Sequence, residues 1–538
     1  MMKKVIKKLL AALLAVAMVC AMAIPAFAGT EGDITTWHSF SAFQIFKGDV
    51  EGNDIKDFKI SNVTWGSNIA DNPAAFLDQL KADSTLGTQF QFIDATDANT
   101  AQKVLEVISK WDDSDANSIA FARFVCHYLY PDANAKPKPA VEGGGGSDHI
   151  HFDEAGYYLV VDTTPFNPGD FDHAYNSFLL MVTHKNWNVP ITPKAEKPSV
   201  KKEVFDNFDN QDGTSTGVFG SSADHAINEK FQFKLTATLP ASTDHAYDYY
   251  DTYAVCFKDT LSEGITYDKL DSVVINSNGH TYDITNDTSK YTITESQNSF
   301  VVKIPDVKTC AEGLDLNKGA TITVTYTAHL NDKAYVNTGS GSTENKNSVQ
   351  LQYSNNPRPG EYWGTTPKSE VYVFTYQLNN TKLAENEHGA PLKDVGFCLY
   401  SDEACAHKVE LYKEGDFYFP IKDATDKKAV EEMYSDKDGK FNIKGLDAGT
   451  YYLKETTPPA GYSACKVIPV TIKADHSRND QVNLEGSNLT NDIVNIKAGG
   501  ITLPSTGGIG TTLFYVVGGG LMVAAIVLLV TKKRMENK

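Results

Sequence analysis

The sequence predicts a mainly β protein, built of antiparallel sandwiches in tandem behind a mixed first domain, with a transmembrane helix at its C-terminus. Three observations carry this. Apolar and polar residues alternate with period two over long stretches of the second half, as in FQFKLTATL (Phe231–Leu239) and TITVTYTAHL (Thr321–Leu330). Helical spacing is confined to the first third. An uncharged run of eighteen residues, Leu513–Val530, ends in Lys532, Lys533 and Arg534. That run is just long enough to span a bilayer, and its basic cluster sets the C-terminus on the cytoplasmic side. With 538 residues, 41% hydrophobic and 22% charged, the chain has room for three or four globular domains.

The chain opens on a leader. Lys3, Lys4, Lys7 and Lys8 precede an apolar stretch, and Ala26-Phe27-Ala28 supplies the small-x-small pattern of a signal peptidase site, so residues 1–28 read as a secretion signal. At the other end, Leu503, Pro504, Ser505, Thr506 and Gly507 stand just before the apolar run. Pentapeptide, apolar helix and basic tail in this order resemble the cell-wall sorting signal of Gram-positive surface proteins (residues 499–538). The resemblance implies that a sortase cuts between Thr506 and Gly507 and holds Thr506 as a thioester. Four lysines leave with the leader, and four basic and one acidic residue leave with the tail. The exported part then holds 41 basic against 67 acidic residues, a formal −26 where the whole chain has −19. Such acidity disfavours nucleic acid as a partner.

Six cysteines remain after export, at 126, 256, 310, 398, 405 and 465. An oxidising compartment allows disulfides, and the pairing is open from sequence; if it stays within domains, Cys256 with Cys310 is the natural pair and Cys126 is free.

Residues 29–193 form the first domain. Phe43–Phe46 and Gly156–Val161 read as strands, Ala74–Leu80 and Val104–Tyr130 as helical. Pro131–Ser147, with its four consecutive glycines, reads as a surface loop. No Lys-Ser/Thr follows it, so a phosphate cradle is excluded. Pro190–Pro198 reads as a stiff linker. Residues 194–375 then read as one antiparallel sandwich and 376–498 as another. Asp436–Gly439 reads as a hairpin turn, because the rest of a calcium loop is missing.

The most specific internal motif is GTYYLKETTPPAGY (Gly449–Tyr462). It resembles the E-box of the collagen-adhesin B-type domains of sortase-assembled pilins. Those are small immunoglobulin-like sandwiches in which a lysine of the first strand bonds covalently to an asparagine of the last. The resemblance assigns the amine to Lys382, the acceptor to Asn495 in IVNIK (Ile493–Lys497) and the proton donor to Glu455. Strand alternation independently puts Leu453 and Glu455 on one face. The chemistry needs these types. Burial deprotonates a lysine and makes it a nucleophile. The same burial keeps a carboxylic acid protonated, so that it polarises the amide carbonyl. Ammonia leaves and an amide remains, in a single turnover.

In the second domain, SVKKEV (Ser199–Val204), FKDTLSEGITY (Phe257–Tyr267) and NSVQLQYSN (Asn347–Asn355) together resemble the D2-type isopeptide domain of fimbrial shaft subunits. By that resemblance Lys202 is the amine, Asp259 the proton donor and Asn347 the acceptor. Lys201 is adjacent and Asn355 has the parity of Asn347. Burial parity favours Lys202, while Asn347 rests on the resemblance. In the first domain, YYLVVDTTP (Tyr157–Pro165) echoes the E-box but sets Val161 where Glu455 stands and turns Asp162 to the other face, so no such bond is expected there.

WNVPITPK (Trp187–Lys194) resembles the pilin motif, with Thr192 where the family usually has tyrosine. The resemblance implies that Lys194, with Lys197 as the competing choice, attacks the sortase thioester of the next subunit. Across the whole chain the likeness is to the major shaft subunit of a sortase-assembled Gram-positive pilus. It implies a head-to-tail homopolymer, pilin-class and housekeeping sortases, tip and base pilins, and peptidoglycan as partners, and no cofactor or metal. A wall-anchored adhesin or minor pilin that binds a host surface ligand is the alternative, and would need no pilin lysine. No nucleophile–His–acid set, zinc spacing or close carboxylate pair marks an enzyme.

Overall fold

The computed structural model describes residues 39–498, apart from 53–57, 112–115, 143–148, 164–178, 191–197, 210–214, 244, 361–362 and 479. The leader, the pentapeptide Leu503–Gly507, the apolar run Leu513–Val530, the glycine run and both candidate pilin lysines lie outside the described residues. Among the described residues no helix is long and apolar enough to cross a membrane.

The first block is a sheet in the order β2-β1-β3-β4, made of β1 (Phe40–Glu51), β2 (Lys59–Trp65), β3 (Gly156–Asp162) and β4 (Leu179–Thr183). Three helices cover it: α1 (Pro73–Ala82), α2 (Thr100–Ile108) and α3 (Ala116–Leu129). The helical stretch read as Val104–Tyr130 is thus two helices, with 112–115 between them. α1 starts where Asn72 caps the Ala75 N–H and Pro73 presets the first turn. β1 is buried on both faces. Phe43, Ile45 and Phe46 enter the core beneath the helices, while Phe40 and Ala42 pack on a smaller cluster with Ile150, Phe152 and Val189. This double burial is why apolar residues fall on both faces of the strand, Phe40 and Ala42 on one and Phe43 and Ile45 on the other.

The second block is a sandwich. One sheet contains β5 (Ser199–Asp209), β7 (Lys230–Leu239), β9 (Ile265–Ser277) and β11 (Ala320–Leu330) in the order β9-β11-β7-β5. The facing sheet contains β6 (Ser222–Asp224), β8 (Val255–Leu261), β10 (Ser299–Ile304), β12 (Lys346–Ser354) and β13 (Ser369–Phe374) in the order β6-β13-β12-β8-β10. Alternation follows the pleat: β7 buries Phe231, Phe233, Leu235, Ala237 and Leu239.

The third block repeats the plan on a smaller scale. β14 (Tyr376–Ala384) lies between β16 (Asn442–Leu446) and β18 (Thr490–Asn495), and β15 (Gly396–Tyr400) pairs with β17 (Gly449–Thr457) in the facing sheet. β14 and β18 run parallel, which sets the first and last of these strands side by side. Asp436–Gly439 is a turn, closed by the Asp436 N–H on the Lys440 carbonyl at 2.9 Å.

Only Thr375 separates β13 from β14, and its hydroxyl donates to the Leu446 carbonyl at 3.1 Å. The Ile227 N–H donates to the Gly445 carbonyl across the same junction, at 2.9 Å. Gly445 has φ +80°, and a Cβ there would fall 2.5 Å from Ile227 Cδ1, so a side chain is excluded twice over. Gly341–Ser342 of the second block also pairs with Gln481–Asn483 of the third.

All six cysteines are free thiols, which corrects the expected Cys256–Cys310 pair. The reason is strand parity. Val255, Phe257 and Leu261 of β8 face the core together with Cys310, whereas Cys256 lies between two inward positions on the outer face.

Candidate functional site

β5 turns Lys202, Val204 and Asp206 inward at alternate positions. Lys202 enters the sandwich beside the stacked rings of Phe233 and Tyr326, whose centroids are 5.2 Å apart, with its Nζ 5.1 Å from each centroid. The side chains of Lys202 and Asp259 are both fully buried and form an ion-pair contact between the two sheets. The Lys202 Nζ also donates to the Tyr326 hydroxyl at 2.9 Å. That hydroxyl in turn donates to Asp259 Oδ1 at 3.2 Å and accepts from Asn347 Nδ2 at 2.6 Å. Tyr326 therefore connects all three residues. Burial lowers the Lys202 ammonium to about 8, against the opposing pull of Asp259. Burial likewise raises the Asp259 carboxyl, with Lys202 and Tyr326 opposing. Both shifts move the pair toward neutral amine and neutral acid, the forms that acyl transfer requires.

Asn347 is completely buried, and its Oδ1 has no hydrogen-bond partner among the described residues. Asn355 lies past the end of β12 and is half-buried, and the neighbour of Lys202, Lys201, is exposed and pairs with Glu203 at 2.7 Å. The structure thus brings Lys202, Asp259 and Asn347 together and leaves Lys201 outside this cluster. It adds Tyr326, which sequence reasoning missed. The available signal was an inward tyrosine in the alternating run Thr321–Leu330, since a buried phenol needs a polar partner.

In the third block the parallel register sets Lys382 opposite Ile493 and Ala384 opposite Asn495, so Lys382 and Asn495 share one face. Glu455 reaches them from β17 in the other sheet. Leu453 and Glu455 are buried and Lys454 between them is exposed, following the alternation. The Asn495 Nδ2 donates to Glu455 Oε1 at 2.6 Å, and the Cys465 backbone N–H donates to Oε2 at 3.1 Å. Lys382 is wholly buried and donates to the Ile493 carbonyl at 2.8 Å. Burial depresses its ammonium below the ordinary lysine value, with Glu455 and Cys465 opposing.

As in the second block, the acceptor carbonyl, Asn495 Oδ1, is buried without a partner among the described residues. A half-turn of the amide would set that oxygen against Glu455 in place of Nδ2. Such a contact is favourable only when Glu455 carries a proton, which is the arrangement that polarises the carbonyl.

The first block differs. Val161 is buried and Asp162 half-buried, and among its described residues no lysine is buried. Trp187 packs edge-on to Phe58 at 4.9 Å, but residues 191–197, with Lys194 and Lys197, lie outside the described residues.

Two family models match the chain: a prealbumin-like fold domain over residues 377–487, and the LPXTG cell wall anchor motif over 495–537. A curated relative, the trypsin-resistant surface T6 protein of Streptococcus pyogenes serotype M6, is 25% identical over 279 residues. That match covers 50% of this chain and 44% of the relative, so the chain spans less than half of that protein's length in the comparison. Similar solved structures include the T6 backbone pilin of serotype M6 Streptococcus pyogenes, 17% identical with a TM-score of 0.47, covering 87% of this chain and 97% of that one. The full-length major pilin SpaD of Corynebacterium diphtheriae is 21% identical with a TM-score of 0.41, covering 69% and 88%. The relatives are structural surface proteins rather than enzymes, and the anchor motif assigns the chain to the cell wall at the surface of the cell.

Proposed function

We propose that the chain is the structural shaft subunit of a covalent surface pilus, polymerised by sortase through amides between Lys194 of one copy and Thr506 of the next. Within each copy, Lys202–Asn347 and Lys382–Asn495 isopeptide bonds stiffen the second and third blocks. The observation that carries this reading is the pair of buried lysines, each set with an acid and an asparagine between the first and a late strand of its sandwich.

In the reaction, the neutral lysine Nζ attacks the asparagine carbonyl carbon while Asp259 or Glu455 protonates its oxygen. The new C–N bond forms, the old one breaks, and ammonia leaves with the proton taken from the lysine. The mechanical rationale follows from magnitudes. Folding free energy is only about 5–15 kcal/mol per domain, so an uncrosslinked shaft extends under sustained load. A covalent tie between the first and a late strand of each sandwich stops the chain between them from extending.

The polymer reading is tested by Lys194→Ala in the native host. The high-mass ladder on a denaturing gel should collapse to monomer. An unchanged ladder would instead point to a different linking lysine, such as Lys197, and the absence of a ladder from the wild-type protein would favour the unpolymerised adhesin.

A further inference from the structure

A second group of polar side chains lies at the junction of the second and third blocks, away from both lysine clusters. His225 follows β6 directly, is fully buried, and lies flat on Phe231 with ring centroids 4.0 Å apart and planes within 3°. Its Nε2 contacts the Phe205 carbonyl at 2.7 Å. A carbonyl only accepts, so Nε2 carries the hydrogen, and in the neutral ring Nδ1 holds a lone pair. That Nδ1 is buried and has no hydrogen-bond partner among the described residues.

His225 offers a ring nitrogen, and Glu229 and Asp447 one carboxylate oxygen each, all within 4.8 Å of one another. Glu229 Oε2 is held by the Ala226 N–H at 3.0 Å and lies 3.5 Å from Lys422 Nζ. Asp447 Oδ1 accepts from the Ala448 N–H at 2.8 Å. Each carboxylate thus has one oxygen fixed by backbone, which orients the other.

The neighbouring triad Asp206, Asp224 and His476 is a useful contrast, because it too is grouped closely enough to hold an ion. There, however, the charges already answer each other. His476 Nε2 lies 3.4 Å from Asp206 and 3.7 Å from Asp224, its Nδ1 meets Ser222 Oγ at 2.9 Å, and the two aspartates push the imidazole up to about 10. Around His225, among the described residues, no such cation is built in beyond Lys422.

We propose that His225 Nδ1, Glu229 and Asp447 bind one divalent transition-metal cation, zinc by ligand type, which clasps the second block to the third. One imidazole nitrogen and two carboxylates with a fourth position for water suit zinc, whereas calcium and magnesium favour all-oxygen sets. The Nε2–H bond to a backbone carbonyl is the usual support of a ligating histidine. Two ligands come from the second block and Asp447 from the turn between β16 and β17 of the third, so binding ties the two together.

The test uses the untagged exported chain, stripped with chelator and titrated calorimetrically with zinc chloride, with manganese and calcium chlorides in parallel. One equivalent of zinc should bind, more tightly than calcium, and the melting temperature should rise. Asp447→Asn and Glu229→Gln, nearly isosteric and checked for folding by circular dichroism, should each weaken zinc by about tenfold or more. His476→Gln should leave it unchanged. If Asp447→Asn does not fold, Glu229→Gln alone decides. No zinc binding by the wild-type chain, binding indifferent to the folded carboxylate variants, or tighter calcium binding would overturn the proposal.

Discussion

Each lysine cluster combines a lysine, a carboxylic acid and an asparagine, but the two pair them in opposite ways. In the second block the acid sits on the amine: Lys202 and Asp259 are in contact, and Asn347 is reached through the Tyr326 hydroxyl. In the third block the acid sits on the acceptor, with Glu455 at 2.6 Å from the Asn495 amide, while Lys382 donates to a backbone carbonyl. Topology accounts for the difference. Lys202 and Asn347 belong to facing sheets, so a bond between them pins the sandwich shut. Lys382 and Asn495 belong to adjacent parallel strands of one sheet, so a bond there staples strands already joined by a ladder. The same chemistry is thus compatible with two geometries, provided an acid and an unpartnered amide oxygen meet a desolvated lysine.

Replacing the acids separates the two arrangements most strongly. Asp259→Ala removes the proton donor and also strips Lys202 of its counter-charge. A crosslink closing a loop of this length contributes about 4–5 kcal/mol by chain entropy. An uncompensated buried charge costs about 3–5 kcal/mol more. Chemical denaturation of the second block should therefore show the larger loss. Glu455→Gln should forfeit the third block's crosslink, and with it about 4–5 kcal/mol. The glutamine can keep the hydrogen bond from Asn495, and no counter-charge of the Lys202 kind is lost. Equal losses in the two blocks would break the comparison.

Tyr326→Phe should affect only the second block. It strands the Asn347 amide N–H in the core at a cost of about 1–3 kcal/mol, and slows bond formation, seen as a fraction of chains lacking the mass loss. A smaller effect sharpens the electrostatic side. With the acceptor removed by Asn347→Ala, Lys202 remains a titrating amine whose folded value is lowered to about 8 from 10.5. Between those values the unfolded chain binds the proton and the folded one does not. Stability should therefore rise with pH through that window. The raised Asp259 acts in the opposite sense, and only as pH climbs through its own folded value. Denaturation midpoints from pH 7 to 10 that stay flat or fall would contradict the desolvated-lysine account.

Much of this was legible in the chain. Period-two alternation located the strands of both sandwiches, because one face of each is buried and the other wet. It also put Glu455 inward with Leu453 and Lys202 inward with Val204. What was hidden has a common physical cause, namely contacts between residues far apart in sequence. Tyr326 reads as one more core aromatic until its hydroxyl is seen between Lys202, Asp259 and Asn347. The junction group of His225, Glu229 and Asp447 spans more than two hundred residues and carries no spacing signal. The helical run Val104–Tyr130 conceals a break, since apolar residues at helical spacing occur on both sides of it. The cysteine expectation failed for a reason that parity could have supplied, as Cys256 alternates with Phe257.

The most direct measurement of the central claim is the intact mass of the exported chain, followed by peptide mapping. Two isopeptide bonds should lower the mass by two ammonia equivalents, about 34 Da in all by the stoichiometry of amide exchange. Mapping should recover Lys202 joined to Asn347 and Lys382 joined to Asn495. A mass equal to that of the sequence, with all four residues in unlinked peptides, would contradict the account.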